Sequence, residues 1–163
     1  MKFWIAFSFT DTRHLVALAQ RAEVLGFEGV FLADHLCVPN HIESRYPYAS
    51  DGSPPFSRRI EHPDVWAAMS AMAAVTTKLR FSIGTYILPL HDPLEVARGA
   101  ATAAVLSNGR AHLSVGAGWM KEEFDIQRID FKTRGRRMDE MIEVMRKVWT
   151  GEPVEHHGAH FDF

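Results

Sequence analysis

The chain has 163 residues, 47% hydrophobic and 23% charged, with 18 Lys plus Arg against 20 Asp plus Glu and a formal charge of −2. This is the composition of a soluble globular chain, which excludes a disordered, collagenous or coiled-coil protein. A pI near 6.5 gives no basic stripe for a phosphate backbone, so no nucleic-acid partner is expected. The apolar run at 67–75 is too short for a bilayer and residues 1–9 lack a signal-peptide pattern, so no membrane partner and a cytoplasmic location are expected. The single cysteine, Cys37, has no internal disulfide partner and reads as a reduced, buried, small apolar residue.

Residues 3–9 are an apolar run followed by Thr10, Asp11 and Thr12, a buried strand leading to a helix cap. Leu15, Leu18, Ala22 and Leu25 recur at helical spacing, and Gly26 stands at the C-cap. Gly29 to Ala33 form a second, wholly apolar strand of the kind found in parallel sheets. From Leu36 to His62 no helical period is present. Pro63 opens the next helix, whose apolar side is Val65, Trp66, Met69, Met72 and Ala73. Phe81 to Tyr86 is a third strand, ending at Ile87-Leu88-Pro89.

Asp92-Pro93-Leu94-Glu95 has the form of a capping box for a helix reaching about Ser107, stopped by Asn108-Gly109. His112 to Gly116 reads as a fourth strand and Ala117-Gly118-Trp119 as a loop. Thr133 caps a last helix in which Met138, Met141, Met145 and Val148 keep the period up to Gly151. Val154 to Phe163 reads as a hairpin. The alternation of strand and helix means a parallel sheet with right-handed crossovers. Composition and period leave open whether it is an open doubly wound sheet or the first half of an eight-stranded barrel.

In either plan the chemistry sits at the carboxyl ends of the strands. There the sequence places Ser8 and Thr10, then Asp34 and His35, then Thr85, Tyr86 and Ile87, then Gly116, Gly118 and Trp119. His35 is the candidate acid–base group, since imidazole titrates near neutrality. Asp34 alternates to the other side of the backbone, so no relay between the two is implied. On the residues alone, a turn-capping Asp34 and a merely hydrogen-bonded His35 are the better account.

The turn at Gly116-Ala117-Gly118 lacks the third glycine of a dinucleotide fingerprint, and no helix is expected promptly after it. Its glycines leave room for a flat ring or phosphate, and a tight turn explains them almost as well. His156, His157 and His160 have no completing carboxylate or cysteine pattern and read as exposed polar residues, so no metal is expected. Lys132, Arg134, Arg136 and Arg137, beside Asp139, Glu140 and Glu143, read as solvated ion pairs.

Several runs together are similar to the luciferase-like monooxygenase superfamily, most closely its coenzyme F420-dependent oxidoreductase branch. They are Ala33-Asp34-His35-Leu36-Cys37-Val38-Pro39, Leu88 to Leu94, Leu106-Ser107-Asn108-Gly109-Arg110, Val115 to Trp119 with Glu122-Glu123-Phe124, and Arg134 through Asp139-Glu140. The resemblance implies an α/β fold of the TIM (β/α)8-barrel class and a flavin or deazaflavin at the carboxyl end of the strands. It implies that His35 is a general base toward a substrate alcohol and that Asp34 lies near the cofactor ring. It further implies a non-prolyl cis peptide at Tyr86-Ile87 and a cofactor edge lined by Gly116 and Gly118.

Hydride transfer between coenzyme F420 and a small organic substrate is the implied activity. The alternatives are an FMN-dependent monooxygenase using oxygen, and an inactive half-barrel fragment or dimerisation module. Where some members of this branch have an acidic residue soon after the glycines, this chain has Trp119, which points away from sugar phosphates and toward a hydrophobic pocket. A whole barrel of this class needs about 250 residues. The expectation is therefore a single domain over 1–163, the N-terminal half of a longer enzyme with about the first four β/α units. It would carry an insertion loop at about 36–62 and a C-terminal hairpin at about 153–163. The open edges of such a sheet favour a homo-oligomer, a dimer in the simplest case.

Overall fold

The structure, a computed structural model, describes residues 1–57 and 59–163. Along the chain run β1 (Trp4–Ala6), α1 (Leu15–Val24), β2 (Gly29–Leu32), α2 (Val65–Ala74), β3 (Arg80–Ile83), β4 (Tyr86–Ile87), α3 (Pro93–Leu106), β5 (Val115–Gly116), α4 (Lys121–Gln127) and α5 (Arg134–Val148). Two compact units are present. The first comprises Met1–His35, Phe56–Tyr86 and Gly99–Val115, the second Leu36–Pro55, Ile87–Arg98 and Gly116–Phe163.

In the first unit β1, β2 and β3 form a parallel sheet in that order, with Ile5 opposite Val30 and Val30 opposite Phe81. Backbone bonds extend the ladder at both ends: Glu28 N–H donates to Phe3 (2.8 Å), Phe7 N–H to Phe31 (2.8 Å) and Gly84 N–H to Leu32 (2.7 Å). β2 lies between two neighbours, and Val30 and Leu32 are buried, as its unbroken apolar run requires. β1 differs from the expected buried strand over 3–9. It spans only three residues, and Phe3 and Trp4 remain 60% and 38% exposed, because an edge strand has one neighbour. The Trp4 ring lies over Gly29, where a Cβ would fall 2.5 Å from it.

Leu15, Ala19 and Ala22 are the buried stripe of α1, whereas Leu18 and Leu25 are 38% and 58% exposed. The stripe follows i, i+4, i+7, where alanines let α1 approach α2. Gly26, with φ of 81°, ends the helix as expected. α2 is capped by Asp64, whose carboxylate accepts from Ala67 N–H at 2.8 Å. Pro63 therefore precedes the cap and is not the first helical residue. The expected third strand over 81–86 is divided into β3 and β4. The fourth reduces to β5, which pairs with β4, and an isolated parallel bridge between Phe81 and Ala111. Asp92 caps α3 as predicted, accepting from Leu94 N–H (2.8 Å) and Glu95 N–H (3.2 Å).

The turn between α2 and β3 has peptide groups that no ladder satisfies. Glu23 on α1 accepts from the N–H groups of Thr77 (2.9 Å), Lys78 (2.6 Å) and Leu79 (2.8 Å). Arg110 donates to the carbonyls of Ala73 (2.9 Å), Thr76 (3.0 Å), Leu79 (2.8 Å) and Ser107 (2.7 Å). Burial pushes the Glu23 carboxyl up, but the three N–H donors and the Arg110 charge together hold it below the usual carboxylate range. Arg110→Ala strips several carbonyls of a charged donor and is expected to cost about 3 kcal/mol, with Arg110→Lys recovering only part. Urea unfolding reads both, and an unchanged midpoint in Arg110→Ala would contradict this role.

The second unit is built around α4 and α5. Ile87, Leu90 and Phe124 form a buried cluster with Ile129 and Phe131 against it. Met141, Val144 and Met145 are the buried face of α5, which packs on the 3-10 turn Leu88–Leu90. Met138 and Val148, from the predicted stripe, are half-buried at its flanks. Arg134 and Arg137 are not solvated ion pairs. Arg134 donates to Gly118 (3.1 Å) and Phe131 (2.8 Å), and Arg137 to Pro89 (3.0 Å), because these turn carbonyls have no helical or ladder partner.

The C-terminal segment doubles back through paired bonds between His156 and Phe163 (2.8 and 2.9 Å) and from Gly158 N–H to Phe161 (2.9 Å). Among its described residues it holds a single antiparallel bridge, His157 with Asp162, and no strand. His156 is buried, in contrast to the exposed position expected for it. Its Nε2 lies 3.2 Å from Glu140, whose carboxylate also accepts from the N–H groups of His160 (3.1 Å) and Phe161 (2.8 Å). Burial raises the Glu140 carboxyl, but those donors outweigh it and hold it below its ordinary value.

A lowered folded value contributes stability above the unfolded carboxylate range, and that contribution is lost as pH falls through the folded value. Acidification below the carboxylate range is thus expected to speed hydrogen exchange at the His160 and Phe161 amides. Glu140→Gln should make that exchange nearly independent of pH across the same window, beyond the intrinsic pH dependence. Equal acid sensitivity in both proteins would contradict a role for the Glu140 carboxylate in holding these amides.

Candidate functional site

Because β1, β2 and β3 are parallel, their carboxyl ends lie on one side of the first unit. Ser8 and Phe9 follow β1, Asp34 and His35 follow β2, and Gly84 and Thr85 follow β3. Asp34 and His35 are half-buried, and Gly84 and Thr85 are exposed. The cis bond expected at Tyr86-Ile87 lies two residues earlier, between Gly84 and Thr85. Tyr86 and Ile87 are buried, and the Tyr86 hydroxyl accepts from Trp66 Nε1 at 3.4 Å. The bare backbone at this strand end is thus at 84–85, while the Tyr86 side chain packs inward.

Around His35 the first unit gathers rings that no sequence pattern marks. His35 lies 5.0 Å from Phe56 and 5.0 Å from His62, centroid to centroid, at 62° and 72°. Phe9 lies 5.7 Å from Phe56 and 6.0 Å from His62. Glu61 accepts from Thr12 N–H at 2.9 Å, which ties the segment before His62 to the chain leaving β1. Phe56 and His62 sit in a stretch without periodicity, so only their residue types could have marked them.

In the second unit, Gly118 has φ of 80°, and a Cβ there would lie 2.7 Å from Ile87 Cγ2 and 3.0 Å from Phe124. Its glycine is therefore required by packing inside this unit. α4 begins at Lys121, directly after the turn from which no prompt helix was expected. Its seven residues carry two apolar side chains, Phe124 and Ile126, too few to show a helical period.

α4 anchors the aperiodic segment that begins after His35. Buried Glu123 accepts from Leu36 N–H at 2.8 Å, with Cys37 N–H at 3.5 Å. Glu122 accepts from the N–H groups of Glu43 (2.7 Å) and Ser44 (2.9 Å), and the Ser44 hydroxyl accepts in turn from Lys121 N–H (2.9 Å). Tyr46 packs edge-on against Trp119 at 5.2 Å. Burial raises the Glu122 carboxyl, but bonds from Ser44 and Glu43 hold it below its usual range.

Burial first, and then the neighbouring Glu123 carboxylate, push the Cys37 thiol above its ordinary value. A raised value means less thiolate near neutrality and slow alkylation. Glu123→Gln removes the charge and keeps the shape, so Cys37 is expected to react several-fold faster with iodoacetamide. An unchanged rate would separate Cys37 from Glu123.

Among the described residues, no group of three or more His, Cys, Asp or Glu side chains is placed to hold a metal ion. No helix among them is long and apolar enough to cross a membrane. The family model described as luciferase-like monooxygenase matches residues 5–163. An uncharacterized protein of Mycobacterium tuberculosis is 34% identical over 162 residues, 99% of this chain and 56% of that protein. An F420-dependent glucose-6-phosphate dehydrogenase of Amycolatopsis mediterranei is 30% identical over 156 residues, 92% of this chain and 41% of its own. The crystal structure of the monooxygenase RslO1 from Streptomyces bottropensis superposes with a TM-score of 0.79 at 24% identity, over 100% of this chain and 47% of that one. The chain spans about half the length of the curated relatives it matches. Its α/β fold is that of luciferase-like TIM-barrel enzymes.

Proposed function

The chain belongs to the luciferase-like monooxygenase family, and from that premise we propose that it is an F420-dependent oxidoreductase acting on a small organic alcohol or carbonyl compound. The observation that carries this reading is His35 at the carboxyl end of β2, half-buried among rings, in a chain 30% identical to an F420-dependent dehydrogenase.

The first unit fits a flat ring system. Gly84 has no side chain, Gly84 and Thr85 are exposed, and half-buried Asp34 stands at the end of the adjacent strand. In this reading Asp34 and Tyr86 are the cofactor-contacting residues of the first unit, Tyr86 through its backbone; taken by itself, the second unit offers Ile87, through its backbone, Gly116 and Gly118 as candidates. A bound deazaflavin supplies two-electron chemistry, accepting hydride at a ring carbon. The chain's own part is to orient the substrate and to move one proton: the carbinol hydroxyl gives its proton to the His35 imidazole, which returns it in the reverse direction. Trp119 in place of an acidic residue supports a substrate other than a sugar phosphate.

The chain is further read as about the first four β/α units of a barrel, working in the cytoplasm as a homo-oligomer. Native mass spectrometry after incubation with equal deazaflavin and FMN is expected to retain the deazaflavin. Retention of FMN alone would favour an oxygen-using monooxygenase, and retention of neither an inactive fragment or dimerisation module. His35→Ala is expected to lower turnover at least a hundredfold with cofactor retention unchanged. Full activity in that variant would remove His35 from the proton transfer.

A further inference from the structure

We propose that Phe9, Phe56 and His62 form an aryl-binding subsite beside His35, so that the substrate carries an aromatic ring next to its reacting carbinol or carbonyl carbon. This rests on the reading of His35 as the proton-transfer group and adds the substrate class. The three rings come from separate places, the end of β1, the aperiodic segment and the approach to α2, and all meet within the first unit.

Their mutual geometry is the ground for choosing an aryl group over an alkyl one. Phe9 and Phe56 are tilted at 50°, Phe9 and His62 stand at 88°, and Phe56 and His62 at 81°. Edge-to-face packing of this kind aims the positive edge of one ring at the negative face of the next, and a further ring joins it with the same preference. The cluster is not sealed: Phe9 is 39% exposed, and Phe56, His62 and His35 are each half-buried. Water therefore reaches ring surface that a ligand ring would cover.

Two further features define the subsite. Phe9 holds φ of 68°, which places a bulky residue in the left-handed region at the end of β1. The Glu61–Thr12 bond fixes the backbone beside His62, at a carboxyl held below its ordinary value by the hydrogen bond from Thr12. Among the described residues, arginine–ring contacts are made at Phe81, Phe131 and Phe161.

The test compares two probes of the same shape, 1-phenylethanol and 1-cyclohexylethanol, binding to the full chain without cofactor, followed by NMR titration. The wild-type chain is expected to bind the phenyl probe about three- to tenfold more tightly, with the ring protons of His35 and His62 shifting as it binds. Phe56→Leu keeps an apolar side chain but no ring, and should bring the ratio to about one while thermal unfolding shows the fold intact. If Phe56→Leu does not fold, Phe9→Leu reads the same ratio.

Equal affinity for the two probes in the wild-type chain, or a phenyl preference that survives loss of the ring, would overturn the proposal. Phenyl binding without deazaflavin retention would sink the cofactor reading and leave the subsite standing. Deazaflavin retention with a probe ratio of one would do the reverse.

Discussion

A parallel sheet requires each strand to be followed by a crossover, and each crossover ends in turns whose peptide groups have no ladder partner. In this chain those groups are satisfied by charged side chains turned onto the backbone. Glu23 takes three N–H groups and Arg110 several carbonyls of the turn that starts β3. Glu122 and Glu123 do the same for the segment after His35, and Glu140 for the C-terminal doubling-back. Such bonds are stronger than neutral ones, and losing one partner leaves buried polar groups exposed to the full desolvation cost. The apolar packing therefore sets which elements meet, and these few ions set where the turns between them lie.

The same device bears on chemistry. His35 follows β2 by three residues, and the next residue along the chain, Leu36, donates its N–H to buried Glu123. A group that moves a proton needs a fixed position before it needs a tuned affinity. Within the first unit β2 holds the chain that leads to His35, and within the second Glu123 of α4 holds Leu36. A long segment without helix or strand becomes an ordered element in this way, because its N–H groups have been given carboxylate partners.

Much of this architecture was legible in the sequence. The methionine spacing of α5, the Asp92 cap and Gly26 as a stop are local signals, and each appears where its physics requires. The position of His35 was legible because a wholly apolar run such as β2 announces its own end. What escaped was long-range or short-lived. Leu18 and Leu25 are apolar residues at helical spacing, but only tertiary contact decides that the buried stripe of α1 passes through Ala19 instead. α4 is too short for a period. The roles of Glu122 and Glu123 depend on N–H groups some eighty residues away in sequence, and Arg134 and Arg137 serve turn carbonyls where a count of charges reads surface ion pairs. Phe9, Phe56 and His62 share a cluster across some fifty residues of chain that no spacing rule connects.

We propose that the strand-end site around His35 serves hydride chemistry and not oxygen insertion. The most direct measurement supplies the deazaflavin-loaded chain with secondary alcohols deuterated at the carbinol carbon, under nitrogen, and weighs the recovered cofactor. A gain of one deuterium per turnover in the cofactor and a carbonyl product formed without oxygen are expected. No deuterium in the cofactor, with product appearing only in air and carrying an atom from labelled oxygen gas, would contradict it.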